Sequence, residues 1–166
     1  MKRALYPGSF DPMTLGHINI IERALGIFDA ITVVVAVNPQ KRPLFSLEEN
    51  LAMIREATQQ WPQVDVDYAT GLLVEYGRKH GISHAVRGLR AVTDFEVEFS
   101  MALTNRELSM EFDTVFFMTS LEYMYLHSSV VRQVAEMGGD VAKFVPAGVE
   151  RRLRQHYGHD GGSGGG

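Results

Sequence analysis

The chain has 166 residues with 16 Lys and Arg against 20 Asp and Glu, a formal net charge of −4, and is 45% hydrophobic and 22% charged. This is the composition of one globular domain with a sizeable core. It excludes a disordered chain and argues against a surface built mainly for nucleic acid, while leaving room for a local cationic cluster. Cysteine is absent, which excludes disulfides, thiolate catalysis and thiolate-bound metal. In chain order, Lys2 to Tyr6 reads as a short strand that Pro7-Gly8 breaks. From Gly16 apolar residues recur at helical spacing (Ile18, Ile21, Leu25, Phe28), so the opening is strand, glycine-bearing loop, helix. The apolar start is too short for a signal peptide and no later run approaches membrane-spanning length, so a cytoplasmic location is expected.

Ala30 to Val37 is almost unbroken β-branched sequence without polar alternation, the mark of a strand buried on both faces in a parallel sheet. Ser46-Leu47-Glu48-Glu49 is a capping box for a helix to about Gln60, ended by Trp61-Pro62. Val64 to Ala69 is a weaker strand, Leu72 to His80 a short helix closed by Gly81, and Ser83 to Val86 a short strand. Thr93-Asp94-Phe95-Glu96 reads as a second capping box for a long helix to about Leu108, followed by a strand from Thr114 to Met118. Ser128-Ser129 precede a helix with Val130, Val134 and Met137 on one face and Gly138-Gly139 after its end. A last helix from Ala147 to about His156 carries Arg151, Arg152 and Arg154 where cations suit the helix dipole. Strands alternating with helices predict a single-domain, doubly wound, Rossmann-like α/β fold with a five-stranded parallel sheet over residues 1–158. Residues 159–166 read as a flexible tail, in which Gly161 to Gly166 has the composition of an appended linker.

Right-handed crossovers place every strand-to-helix loop on one edge of such a sheet. Four of those loops, Ser9 to His17, Asn38 to Phe45, Arg87 to Thr93 and Ser120 to Ser129, then share that edge. In the first, Gly8 and Gly16 let main chain approach an anion, the helix start supplies unpaired N–H groups, and Thr14 and His17 add donors. The plain alternative is a tight turn with Thr14 as N-cap and His17 as a surface residue of the first turn. The others add Lys41 and Arg42, then Arg87 and Arg90 around Gly88, then His127, Ser128 and Ser129. Cations and hydroxyls converging on one edge of an acidic protein point to a ligand with several phosphates.

Neither G-x-x-x-x-G-K-[S/T] nor G-x-G-x-x-G occurs, which disfavours a P-loop kinase and a dinucleotide dehydrogenase. His80 and His84 are separated by Gly81, and no metal ligand set is read among the six histidines. The chemistry that fits is in-line nucleotidyl transfer. An anionic phosphate acceptor needs no general base; it needs two repelling anions held in line and the charge on the α-phosphoryl oxygens stabilised. On this reading His17 and the adjacent helix start stabilise the transition state, Ser9 and the Phe10 backbone contact phosphates, and Lys41, Arg87 and Arg90 hold the reactants.

The stretch Tyr6-Pro7-Gly8-Ser9-Phe10-Asp11-Pro12-Met13-Thr14-Leu15-Gly16-His17 resembles the opening of nucleotidyltransferases with a T/H-x-G-H signature. Together with Asn38-Pro39-Gln40-Lys41, Phe45 to Glu49, Arg87-Gly88-Leu89-Arg90, Asp94 to Glu98, Asn105-Arg106 and Gly138 to Val141, it is similar to the bacterial phosphopantetheine adenylyltransferases through about Tyr157. The resemblance implies adenylyl transfer from ATP, carried with magnesium, to 4′-phosphopantetheine, giving dephospho-coenzyme A and pyrophosphate. It implies a substrate side of Ser9, Lys41, Leu73 and Arg87, and ATP contacts from Ser9, Phe10, His17, Gly88, Leu89, Arg90, Glu98 and Tyr123, Met124, Tyr125, Leu126, His127, Ser128 and Ser129. His17, Lys41 and Arg90 are the implied catalytic set. A homohexamer of two trimers, feedback by coenzyme A, and no nucleic-acid or membrane partner are further implications. The chain departs from the family pattern at His127, where a serine is usual, and at Ser100, where a glutamine is usual. The helix from Thr93 to Leu108 is apolar on two faces, which suggests core on one side and a subunit contact on the other. The rivals are a cytidylyltransferase for an alcohol phosphate, an adenylyltransferase for nicotinate mononucleotide, and a non-catalytic nucleotide sensor.

Overall fold

The structure is a computed structural model that describes residues 1–159; of the tail expected over 159–166 it describes only His159, whose N–H donates to the Arg154 carbonyl at 2.9 Å, and the rest lies outside the described residues. Strands and helices alternate: β1 (Arg3–Gly8), α1 (Leu15–Leu25), β2 (Ala30–Ala36), α2 (Leu47–Thr58), β3 (Val64–Ala69), α3 (Leu73–His80), β4 (His84–Leu89), α4 (Val92–Leu108), β5 (Asp113–Met118), α5 (Ser128–Glu136) and α6 (Ala147–Tyr157), with a 3₁₀ turn at Leu121–Tyr123. The strands form one parallel sheet in the order β3-β2-β1-β4-β5. This is the expected doubly wound fold. The order reverses between β1 and β4, and that point opens a crevice at the carboxyl ends of the strands.

The core explains the element choices. Every residue of β2 except Ala36 is buried, as its unbroken apolar run requires. On one face Val33 and Val35 pack with Ile20 and Ile21 of α1 and Ile54 of α2. On the other Leu5 and Val34 pack with Val74, Ile82 and Phe112. Burying each such aliphatic side chain contributes about 1.5–3 kcal/mol. The Ser46 capping box forms as expected: Glu49 N–H donates to Ser46 Oγ at 3.2 Å and Ser46 N–H to Glu49 Oε2 at 2.8 Å. The arginines of α6 do more than meet a helix dipole, since Arg151 and Arg152 both pair with Glu56 of α2.

Four local expectations are corrected. β1 does not stop at Tyr6; Pro7 and Gly8 pair with Val34 and Val35 of β2. The Pro7 carbonyl accepts a hydrogen bond from Arg87 of β4, so the proline's missing N–H faces a neighbour with which β1 is in register only at Leu5–Ala85, and no ladder bond is lost. β4 continues past Val86 because Arg87, Gly88 and Leu89 pair with Phe116, Phe117 and Met118 of β5. α4 starts at Val92 with Ala91 as N-cap, and the Thr93–Glu96 box does not form; the Asp94 carboxylate reaches back to the Arg90 N–H at 3.2 Å instead. α5 buries Val131 and Ala135, which meet Phe45, Val149 and Leu153, and leaves Val130 and Met137 exposed. Docking against α6 selects that face.

Candidate active site

A cavity of about 470 Å³ opens at the switch point, walled by the ends of β1 and β4 and the first turns of α1, α4 and α5. Its floor is the loop after β1. Phe10 has φ 46°, a left-handed backbone that costs a bulky residue about 1–3 kcal/mol and persists only when its surroundings fix it. They do: the ring is 2% exposed and stands edge-on to Tyr6 at 5.2 Å and His17 at 5.0 Å. A Cβ on Gly8 would lie 3.0 Å from that ring, so glycine is needed for its close approach. Asn50 of α2 donates to the Ser9 carbonyl at 3.0 Å. The Asp11 carboxylate accepts from the Leu44 N–H at 2.9 Å and pairs with Arg132 of α5 at 3.5 Å. The Ser9 side chain is left exposed at the cavity.

The plain reading of Thr14 and the chemical reading of His17 turn out to be one device. Thr14 caps α1: its Oγ1 accepts from the His17 N–H at 3.4 Å, while its own N–H donates to His17 Nδ1 at 2.9 Å. A backbone N–H can only donate, so Nδ1 is bare and the neutral ring carries its proton on Nε2. Burial, with Arg90 and then Arg87 adding positive charge nearby, pushes the His17 pKa down to about 3. His17 is therefore a neutral hydrogen-bond donor lining the cavity.

Both arginines of β4 and its exit reach the cavity. Arg87 grips the Glu98 carboxylate with Nε, at 2.7 Å to Oε2, and with Nη2, while Nη1 takes the Pro7 carbonyl. Arg90 donates from Nη1 to the Leu126 carbonyl at 2.7 Å and from Nε to Asp94 at 3.3 Å. Each cation is thus aimed by a carboxylate from α4. His127 is the extended N-cap of α5, and Ser128 and Ser129 are its first helical residues rather than caps. Ser128 Oγ donates to the Pro12 carbonyl at 2.9 Å, tying α5 to the first loop.

Of the residues expected at the site, the cavity gathers Ser9, Phe10, His17, Arg87, Gly88, Arg90, Glu98, Leu126, His127, Ser128 and Ser129. It does not gather six others. Lys41 is exposed on the loop before α2, Leu73 begins α3 against the second core face, Leu89 is buried at the end of β4, and Tyr123, Met124 and Tyr125 lie outside the lining. Tyr6, Thr93, Asp94 and Thr119 line it without having been assigned there. Thr119 and Tyr6 lie one residue and three residues outside the loops at Ser120 and Ser9, a signal that exact strand ends would have supplied. Asn50 and Asp11 act through contacts 41 and 33 residues apart, which no local pattern encodes.

A profile of the cytidylyltransferase-like family matches residues 5–134. The chain is 50% identical over 157 residues to a phosphopantetheine adenylyltransferase of Caldanaerobacter subterraneus subsp. tengcongensis, covering 95% of this chain and 98% of that one. It is also 50% identical over 161 residues to a phosphopantetheine adenylyltransferase of Desulforudis audaxviator, covering 97% and 99%. A crystal structure described as that of a candidate nicotinate-nucleotide adenylyltransferase from Vibrio parahaemolyticus superposes with a TM-score of 0.71 at 18% identity, over 96% of this chain and 97% of that one, a likeness of fold. With identity of this level along nearly its whole length, the chain belongs to the phosphopantetheine adenylyltransferases, within the cytidylyltransferase-like family.

Proposed function

We propose that the chain transfers the adenylyl group of ATP to 4′-phosphopantetheine, releasing pyrophosphate and forming dephospho-coenzyme A in coenzyme A biosynthesis. The acceptor follows from the relatives' name. The observation that carries the chemistry is His17, a neutral Nε2–H donor in the first turn of α1, over a cavity with two aimed arginines.

An oxygen of the acceptor phosphate attacks the α-phosphorus in line as the bond to the pyrophosphate oxygen breaks. No proton leaves the acceptor, so no side chain acts as base. His17 and the start of α1 meet the α-phosphoryl oxygens as charge builds there, and the Ser9 hydroxyl and Phe10 N–H contact the flanking phosphates. Arg90 holds ATP, and Arg87, already gripped by Glu98, orients the acceptor phosphate. Gly88, Leu89, Glu98 and the segment from Tyr123 to Ser129 complete the nucleotide side, and Leu73 the pantetheine side. Lys41 joins the reactants when its exposed loop folds over the cavity mouth.

Magnesium, entering with ATP, supplies charge neutralisation on the phosphates. Among the described residues no group of three or more His, Asp or Glu could hold a metal, and an ion carried on phosphate oxygens and water needs none. Coenzyme A, which shares the pantetheine arm, competes as a feedback inhibitor. The enzyme works in the cytoplasm as a homohexamer, for which the exposed apolar face of α4 is the support.

The test is pyrophosphate release from ATP and magnesium with 4′-phosphopantetheine, set beside ATP with nicotinate mononucleotide and CTP with glycerol 3-phosphate. Release with phosphopantetheine alone is expected. Release only with another acceptor rejects the substrate, and ATP binding without release from any acceptor rejects the enzyme in favour of a sensor.

A further inference from the structure

Tyr6 is a polar side chain inside the core that the reaction as described leaves unused. It lies on β1 and is 4% exposed, packed with Val33, Val86 and Phe10. Buried tyrosine hydroxyls find hydrogen-bond partners, because an unpaired one forfeits its hydration. Among the described residues the Tyr6 hydroxyl has none, yet it is not sealed in, since the residue lines the cavity at the β1 tip. When water leaves that cavity for a ligand, the ligand must supply the partner.

Geometry narrows what the partner is. The Tyr6 ring is edge-on to Phe10, which fixes it beneath the first loop, and its centroid is 6.4 Å from that of His17. Burial raises the phenol pKa well above the ordinary value, with Arg87 and Arg90 opposing and Glu98 reinforcing the shift, so the group keeps its proton. The hydroxyl, held protonated, belongs to the same cavity lining as the His17 donor.

We propose that Tyr6 is a further catalytic residue, its hydroxyl donating a hydrogen bond to a non-bridging oxygen of the phosphoryl group in transfer, alongside His17. This rests on the adenylyl-transfer reading above. The bond formed joins acceptor oxygen to α-phosphorus, the bond broken releases pyrophosphate, and Tyr6 retains its proton throughout. Its donor strengthens as the oxygen gains charge, so its effect belongs to the transition state more than to either substrate.

The test is Tyr6→Phe, which keeps the ring, its packing and the core volume. Dephospho-coenzyme A formation and its reversal by pyrophosphate are both measured, with thermal melting as the control on folding. The kcat is expected to fall roughly 10- to 100-fold in both directions, because one transition state serves both, while KM for each substrate moves less than about threefold. An active parent whose Tyr6→Phe variant keeps kcat within about threefold, or loses only KM, overturns the role of Tyr6 and leaves the reaction standing. A parent that forms no dephospho-coenzyme A overturns the reaction and the Tyr6 role together.

Discussion

His17 joins a role in the fold to the proposed chemistry. Its Nδ1 is consumed in capping α1, and that contact decides which nitrogen remains to donate. Burial first, and then the positive surroundings that suit phosphates, keep the ring neutral, with a pKa pushed from 6.5 to about 3. The sign of the pH dependence follows. Between those two values the unfolded chain binds a proton at this position that the folded chain refuses, so stability is lost as pH falls through that window. His17→Ala is expected to lower kcat by about 10²–10³-fold, the usual cost of one preorganised donor. It should cost only about 1 kcal/mol in urea unfolding at pH 7, for the lost cap. Between pH 6 and pH 4 the variant should lose less stability than the parent. Near-parental turnover would remove His17 from the mechanism, and an unchanged acid sensitivity would show that the ring is already charged in the fold. The T-x-G-H string made this residue legible in the sequence, but not its tautomer, which depends on a hydrogen bond seen only once α1 is built.

At the scale of elements, the placement of α1 against β4 decides where His17 stands. A Cβ on Gly88 would fall 2.9 Å from Ile20 Cγ1 and 3.0 Å from Cδ1, one turn along α1 from His17. Gly88→Ala should therefore cost about 1–3 kcal/mol by overpacking and lower kcat by moving α1 off the cavity. Combined with Ile20→Ala, which vacates the space, the two changes should destabilise by less than their sum in denaturant titrations. Strict additivity would mean that Gly88 does not set this approach. Sequence alone places Gly88 in a loop between two arginines, whereas it lies in β4, where it lines the cavity and admits α1. The same lesson recurs where sequence expectations failed. The unbroken run of β2 and the Ser46–Glu49 box were legible because the signal is local. The extension of β1 and β4 depended on partner strands, the start of α4 on Asp94 reaching Arg90, and the buried face of α5 on α6. Alternation alone supplied the fold class and hence the edge on which the loops meet. It did not show that Lys41 stands exposed, outside the cavity lining.

The whole molecule leaves one surface unexplained by its own core. α4 buries only Asn105, while Val92, Phe95, Val97, Phe99, Met101, Leu103 and Leu108 are exposed, and Met110, Met118 and Leu121 extend the apolar surface beyond the helix. Phe95 and Phe99 stack at 5.4 Å, with Phe116 edge-on to Phe95, so the patch is an ordered aromatic surface. Isolated apolar residues on a surface are ordinary, but this many exposed apolar side chains on one helix with one buried residue support the proposed homohexamer, in which other copies cover them. α4 also brings Glu98 to Arg87 and Asp94 to Arg90, so this helix is a wall of the cavity. In the proposed homohexamer, assembly and activity are coupled for that reason. Phe99→Glu places a charge in the aromatic patch on a side chain that does not line the cavity. In sedimentation at micromolar concentration the parent is expected at the mass of six chains and the variant at a smaller mass. The variant should lose turnover in proportion as α4 loosens, with partial recovery at higher protein concentration, as mass action requires. A parent that sediments as a single chain, or a variant that keeps the parental mass, would show that α4 faces solvent and that the cavity wall stands without neighbours.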